Sequence, residues 1–144
     1  ERVDRVADAS LAARPFASLK GRLRLPVRGR LMNRYGERRE AGTTWKGLFI
    51  RAVTGETVHA IADGLVVYAD WLRGFGNLLI LDHGGGYMSL YANNEGLLRG
   101  VGEKVRAGDP VANVGASGES ADSGLYFELR RDGKTFDPLK WTAR

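Results

Sequence analysis

Glycine punctuation constrains this chain more than any other feature. Twenty of its 144 residues are glycine, and they fall among short apolar runs at residues 48–52, 57–61, 64–71, 78–82, 87–91, 110–114 and 125–130. Glycine reaches the positive backbone angles of tight turns, so runs of this length between such turns read as strands of an all-β domain. The most apolar pair, residues 64–71 and 78–84, is joined through Gly74-Phe75-Gly76-Asn77 and reads as a hairpin buried on at least one face. Little helix is expected anywhere.

The length suits one domain with a real core, and no apolar run approaches the roughly 20 residues that span a bilayer. With no cysteine, disulfides and thiolate metal sites are excluded. The net charge of +5 is unevenly placed, because residues 1–40 hold 11 of the 22 Lys and Arg but only 5 of the 17 Asp and Glu. Arg22, Arg24, Arg28 and Arg30 alternate with Leu23, Leu25, Val27 and Gly29 around Pro26. That period reads as an edge strand with a solvated basic face, and no nucleic-acid partner is expected. Residues 1–22 carry Val3, Val6, Leu11 and Phe16 among Ala and Arg, with a break at Pro15. They read as a short helix or loosely held arm, a linker to an upstream region. Glu1 to Ala7 lack the apolar stretch of a signal peptide, so any export signal is expected upstream of Glu1.

Chemistry-bearing residues are sparse. His59 and His83 are the two histidines, they form no HxH, HxxxH or HExxH pair, and each has an ordinary structural reading. Ser89, Ser117 and Ser120 lack a nucleophile elbow, and Asp82, Glu95, Asp109 and Glu128 show no spacing that suggests an acid–base pair. Aromatic and cationic residues in turn-rich places stand out instead: Trp45, Lys46, Phe49, Phe75, Tyr126 and Arg130 among them. Aromatics with arginine are what protein interfaces favour, whereas Trp71, Tyr91 and Phe127 suit the core. Residues 101–115 resemble the turn-and-strand unit of barrel-sandwich hybrid folds, without the exposed hairpin-tip lysine of a lipoyl or biotinyl carrier.

Residues 26–141 resemble the LytM, or lysostaphin-like, domain of the M23 peptidases. The landmarks run in order: Trp45-Lys-Gly-Leu-Phe-Ile50, Ala60-Ile-Ala-Asp-Gly-Leu-Val66, Gly74-Phe-Gly-Asn77, Asp82-His-Gly84, Ser89-Leu-Tyr-Ala-Asn93, Val105-Arg-Ala-Gly108 and Gly124-Leu-Tyr-Phe-Glu-Leu129. The resemblance implies a mainly β, antiparallel, barrel-sandwich hybrid-like domain over residues 23–144. Active members carry HxGxD and HLHFE motifs that supply three zinc ligands, and histidines of the YAH and HLHFE motifs act in catalysis. Here HxGxD reads Trp45, Lys46, Gly47, Leu48, Phe49; YAH reads Tyr91, Ala92, Asn93; and HLHFE reads Gly124, Leu125, Tyr126, Phe127, Glu128. The resemblance therefore implies a domain with neither metal nor cofactor that is not an enzyme.

The finer pattern, including Ala69-Asp-Trp-Leu72, Tyr87 to Asn94, Leu125 to Arg131 and Asp137-Pro138 to Trp141, resembles the EnvC-type murein hydrolase activators. Those proteins are periplasmic, carry an upstream coiled coil recruited by a division-site membrane complex, and activate N-acetylmuramoyl-L-alanine amidases in septal peptidoglycan splitting. The implied partner site is the degenerate groove, assigned to Trp45, Lys46, Phe49, Phe75, Leu78, Tyr91, Asn93, Tyr126 and Arg130. In this reading Trp45, Phe49, Phe75, Leu78 and Tyr126 form an apolar floor, while Lys46 and Arg130 pair with carboxylates on an amidase helix. The same groove holding peptidoglycan, with no activating role, is the alternative.

Overall fold

The computed structural model describes residues 1–118 and 122–143. Its strands are β1 (Arg2–Val3), β2 (Gly29–Leu31), β3 (Leu48–Arg51), β4 (Thr57–His59), β5 (Gly64–Leu72), β6 (Gly76–Gly84), β7 (Tyr87–Leu97), β8 (Lys104–Val105), β9 (Pro110–Val114), β10 (Gly124–Arg131) and β11 (Lys134–Phe136). They pair antiparallel in the order β1-β2-β3-β10-β7-β6-β5-β8, with β11 beside β10 and β9 between β4 and β7. All seven expected runs lie on strands. The helical segments among the described residues are short 3-10 turns, and no helix is long and apolar enough to cross a membrane.

The β5–β6 hairpin closes where Leu72 faces Gly76, with the Phe75 N–H donating to the Leu72 carbonyl at 2.9 Å. Gly76 has φ +71°, and a Cβ there would lie 2.4 Å from the Ser117 backbone, so both angle and space require glycine. Strand β7 is longer than its apolar run suggests. It pairs with β6 and β10, then bends at Asn93, whose φ is +73°, to reach β9. Asparagine tolerates that left-handed angle better than most side chains.

Alternation across β7 and β10 sorts the two sheet faces. Phe127 pairs with Tyr91 and Leu129 with Ser89, and all four lie within the main core, where the Tyr91 and Phe127 rings are 5.5 Å apart. The intervening residues Tyr126, Glu128 and Arg130 face the other side with Ala92, Leu90 and Met88. There Leu78, Leu90 and Ala92 make a second, smaller apolar cluster under Phe75 and Tyr126.

Residues 1–22 correct the expectation of a loosely held linker. Leu23, Leu25 and Val27 are buried, with Arg22, Arg28 and Arg30 exposed and Arg24 half-buried. In place of an edge strand over this stretch, only Gly29–Leu31 is strand, paired on both sides, and the arm before it is built into the same core. Val3, Ala7, Phe16 and Leu19 are buried in it, β1 pairs with β2, and the Ala13 N–H donates to the Asp63 carboxylate at 2.7 Å. Phe16 stacks on His83 and Trp141 and packs tilted against Tyr87, with ring centroids 4.7, 5.3 and 4.8 Å away. An apolar ring held this way resists a short-linker role, because detaching it would return the area to water.

Against Phe16, His83 closes a polar relay. Its Nδ1 donates to the Asp63 carbonyl at 2.6 Å, since a carbonyl only accepts, and its Nε2 meets the Ser89 hydroxyl at 2.7 Å. Ser89 is bonded in turn to the Tyr91 hydroxyl at 2.8 Å, which accepts from the Ile61 N–H. Burial pushes the His83 pKa down from 6.5 to about 4, partly offset by the Asp63 carbonyl and the Asp82 and Asp63 carboxylates.

Two outcomes follow from this packing. Phe16→Ala should cost roughly 3 kcal/mol in chemical unfolding, whereas a cost under about 0.5 kcal/mol would return residues 1–22 to linker status. The unfolded His83 takes up a proton near pH 6.5 that the folded one takes up only near pH 4, so stability is lost as pH falls between those values. The loss should approach about 3 kcal/mol, and the unfolding midpoint of His83→Gln should depend less on pH across that window than that of the unmodified chain.

Candidate functional site

A cavity of about 270 Å³ opens where the start of β3, the β5–β6 turn, β7 and β10 meet. Shallower depressions of about 530 to 650 Å³ lie elsewhere on the surface. The small cavity is nonetheless the one at which the family's motif positions converge. Trp45, Phe49, Phe75 and Tyr126 supply its apolar walls, with Tyr126 centred 6.3 Å from Trp45 and 6.2 Å from Phe75. Cations stand at its rim. The Arg39 guanidinium lies over the Trp45 ring at 3.7 Å, and Lys46 is exposed.

Beneath the walls, Glu128 is buried and fully engaged. One carboxylate oxygen accepts from the Tyr126 hydroxyl at 2.6 Å and the other from Arg130 Nε at 2.8 Å. A buried carboxylate needs such partners, and Arg130 supplies the compensating charge. Burial, then the hydrogen bond and charge of Glu128, hold the Tyr126 phenol protonated by pushing its pKa far above the usual range.

The replacements fit one another sterically. A Cβ at Gly124 would lie 2.6 Å from the Phe49 ring and 2.6 Å from the Ile50 carbonyl oxygen. Phe49 thus fills the volume that a histidine at position 124 would enter. Gly47 is confined in the same way, since a Cβ there would lie 2.4 Å from the Phe127 carbonyl oxygen and 3.0 Å from the Tyr126 hydroxyl. Asn93 fastens the adjoining loop: its amide donates to the Gly124 and Gly115 carbonyls at 2.8 and 3.1 Å, and its oxygen accepts from the Gly118 N–H at 2.6 Å. At 3% exposure it holds the wall in place and offers little surface of its own.

Of the nine residues expected at the groove, Trp45, Lys46, Phe49, Phe75, Asn93 and Tyr126 line this cavity. Leu78 lies just below, buried in the cluster that carries Phe75 and Tyr126. Tyr91 is a correction: it is fully buried on the opposite sheet face, where Phe127 pairs with it. Arg130 is a partial one, because its charge is committed to Glu128. Arg39 was missed, having no motif to mark it. The histidines stand apart from the cavity walls, with His59 Nδ1 bonded to the Gly108 carbonyl at 2.9 Å. Ser117 bonds to the Asn77 N–H and the Asn94 carbonyl, and Ser120 lies outside the described residues.

These side chains do not fit a zinc ion. Indole and phenyl offer no free lone pair, the phenol keeps its proton, and Glu128, the single carboxylate in the lining, cannot by itself supply the three or four donors that zinc takes. Among the described residues no three His, Cys, Asp or Glu gather where a metal could sit.

Comparison with known proteins places this geometry. The sequence pattern of Peptidase family M23 matches residues 43–138. Murein hydrolase activator EnvC of Escherichia coli is 47% identical over 87% of the chain, and murein hydrolase activator NlpD of the same organism is 40% identical over 82%. The chain spans only 30% of the length of each. In three dimensions it resembles a zinc-containing peptidase from Vibrio cholerae, with a TM-score of 0.76 and 23% identity over 83% of the chain and 40% of that structure. The catalytic domain of lysostaphin from Staphylococcus simulans matches with a TM-score of 0.72 and 25% identity over 77% of the chain and 90% of that domain.

The fit argument has a direct check. Added zinc should leave the thermal midpoint of the chain unchanged, because a ligand with no site on the folded state cannot stabilise it. A zinc-dependent rise in the midpoint, reversed by a chelator, would contradict the argument.

Proposed function

The chain belongs to peptidase family M23, and we propose that it is a non-catalytic member that activates an N-acetylmuramoyl-L-alanine amidase by binding it at the cavity. One observation carries the reading. The three positions that the family motifs assign to zinc ligands hold Trp45, Phe49 and Tyr126, and these converge on one apolar cavity with Arg39 and Lys46 at its rim. Such a surface suits the apolar face of an amphipathic helix bearing carboxylates on its flank. Similarity to the murein hydrolase activators EnvC and NlpD supports the activator role. A periplasmic location, and recruitment to the division site through an upstream coiled coil, belong to the same proposal.

Activation in this scheme is a population shift. The cavity must bind the open amidase better than the closed one, because equal affinity for both states moves nothing. A preference of about 3 kcal/mol would raise the open-to-closed ratio roughly a hundredfold. With Arg130 held by Glu128, Lys46 is a cavity-lining cation that has no ion pair among the described residues, and Arg39 lies beside it on Trp45.

Lys46→Glu should raise the concentration needed for half-maximal amidase activation by about tenfold, with an unchanged unfolding midpoint because Lys46 is exposed. Phe75→Ala, which strips an apolar wall, should weaken activation further. Activation curves for both variants that overlay that of the unmodified chain would contradict the assignment of the cavity.

A further inference from the structure

The strongest unassigned feature lies on the other face of the sheet. Along β10, Arg130 points to the cavity side, so its neighbour Arg131 points to the opposite side. There Arg131 joins Lys20, Lys134 and Lys140 around a cleft of about 640 Å³ floored by Tyr87 and Trp141. Elements distant in sequence build it: Lys20 closes the N-terminal arm, Arg131 and Lys134 flank the β10–β11 turn, and Lys140 ends the last 3-10 turn.

Two of the four cations rest on the floor, with Lys20 Nζ 6.0 Å from the Trp141 ring centre and the Arg131 guanidinium 5.0 Å from that of Tyr87. Among the described residues none of the four lies within ion-pair distance of a carboxylate. One lining carboxylate is present, Asp137, and it caps its own turn by accepting from the Leu139 N–H at 2.9 Å. Four cations held around one cleft repel each other, and an anion placed among them would relieve that repulsion.

We infer that this cleft is a second binding site, separate from the cavity, that takes a carboxylate-bearing polymer strand, and that the polymer is murein. The anionic ligand follows from the charges. A strand, and not a membrane surface, follows from the surface character: the cations ring an open depression, the Tyr87 and Trp141 rings beneath them are buried, and none of the exposed large apolar side chains of the described residues lines it. Surfaces that dock on lipid pair their cations with protruding apolar groups. Murein offers free stem-peptide carboxylates on a neutral frame of sugar and amide, a charge pattern that separate lysines can meet one by one. Choosing murein among carboxylate polymers rests on the activator reading above; the anion site rests on geometry alone. Because the sheet separates the two sites, the domain can stay on its polymer while the cavity engages a protein.

The test is co-sedimentation of the chain with purified murein sacculi, with anionic phospholipid vesicles as a parallel arm and no amidase present. The unmodified chain should pellet with sacculi and less so in raised salt. Lys134→Glu combined with Lys140→Glu should weaken pelleting by about tenfold, while Lys46→Glu at the cavity should leave it unchanged. Lys134 and Lys140 are exposed, and Lys20→Gln provides a milder second variant that should weaken pelleting in the same direction. Pelleting of the double variant equal to that of the unmodified chain, failure of the unmodified chain to pellet, or preference for vesicles over sacculi would each overturn the inference. Loss of amidase activation in a separate assay would sink the activator reading and leave this result standing.

Discussion

Strands β7 and β10 pair over six residues, and that ladder decides both what is buried and what is displayed. One side of it sends Tyr91, Phe127 and Leu129 into the main core. The other side presents Ala92, Tyr126, Glu128 and Arg130 beside the cavity. A slip of one residue would exchange the two sets, placing a carboxylate and a guanidinium in the core and opening two aromatic rings to water. Burial of the apolar set therefore fixes the register. Glu128 is satisfied by Tyr126 and Arg130 from the same face of its own strand.

In the proposed reading, the cavity of this M23-family fold has aromatic residues at the positions that the family motifs give to zinc ligands. A zinc site needs lone pairs aimed at one point; this site has aromatic rings lining one space, a protonated phenol, and a carboxylate already satisfied. Phe49 and Gly124 are coupled, since the ring occupies the room that any side chain at 124 would need. A side chain placed there would meet both the Phe49 ring and the Ile50 carbonyl oxygen, each 2.6 Å from its Cβ. What the arrangement can do is bury an apolar surface with cations at its edge, which is the physics of recognition.

Much of this was legible in the sequence, and the exceptions have physical causes. All seven expected strands are present because glycine turns and apolar runs are local signals. The motif positions singled out Trp45, Phe49 and Tyr126, which line one cavity in the fold, because collinear landmarks fix a register that composition cannot. The end of β7 lies beyond the expected run, which stops at residue 91 with its apolar residues; in the fold Asn93 and Asn94 use their side-chain amides to bind backbone carbonyls as the strand continues to Leu97. Residues 1–22 read as a linker because their apolar positions follow no single period. They are laid onto the core through β1 and Phe16, contacts far apart in sequence. Tyr91 looked like a groove residue by its place in the YAH-like motif, but strand alternation turns it inward.

The measurement that bears most directly on the central claim is dye release from labelled murein by the chain alone, by a purified amidase alone, and by the two together, with zinc present throughout. Release well above the amidase baseline only in the mixture is the predicted result. Release by the chain alone would contradict the account, because it would require a hydrolytic centre that Trp45, Phe49 and Tyr126 cannot form.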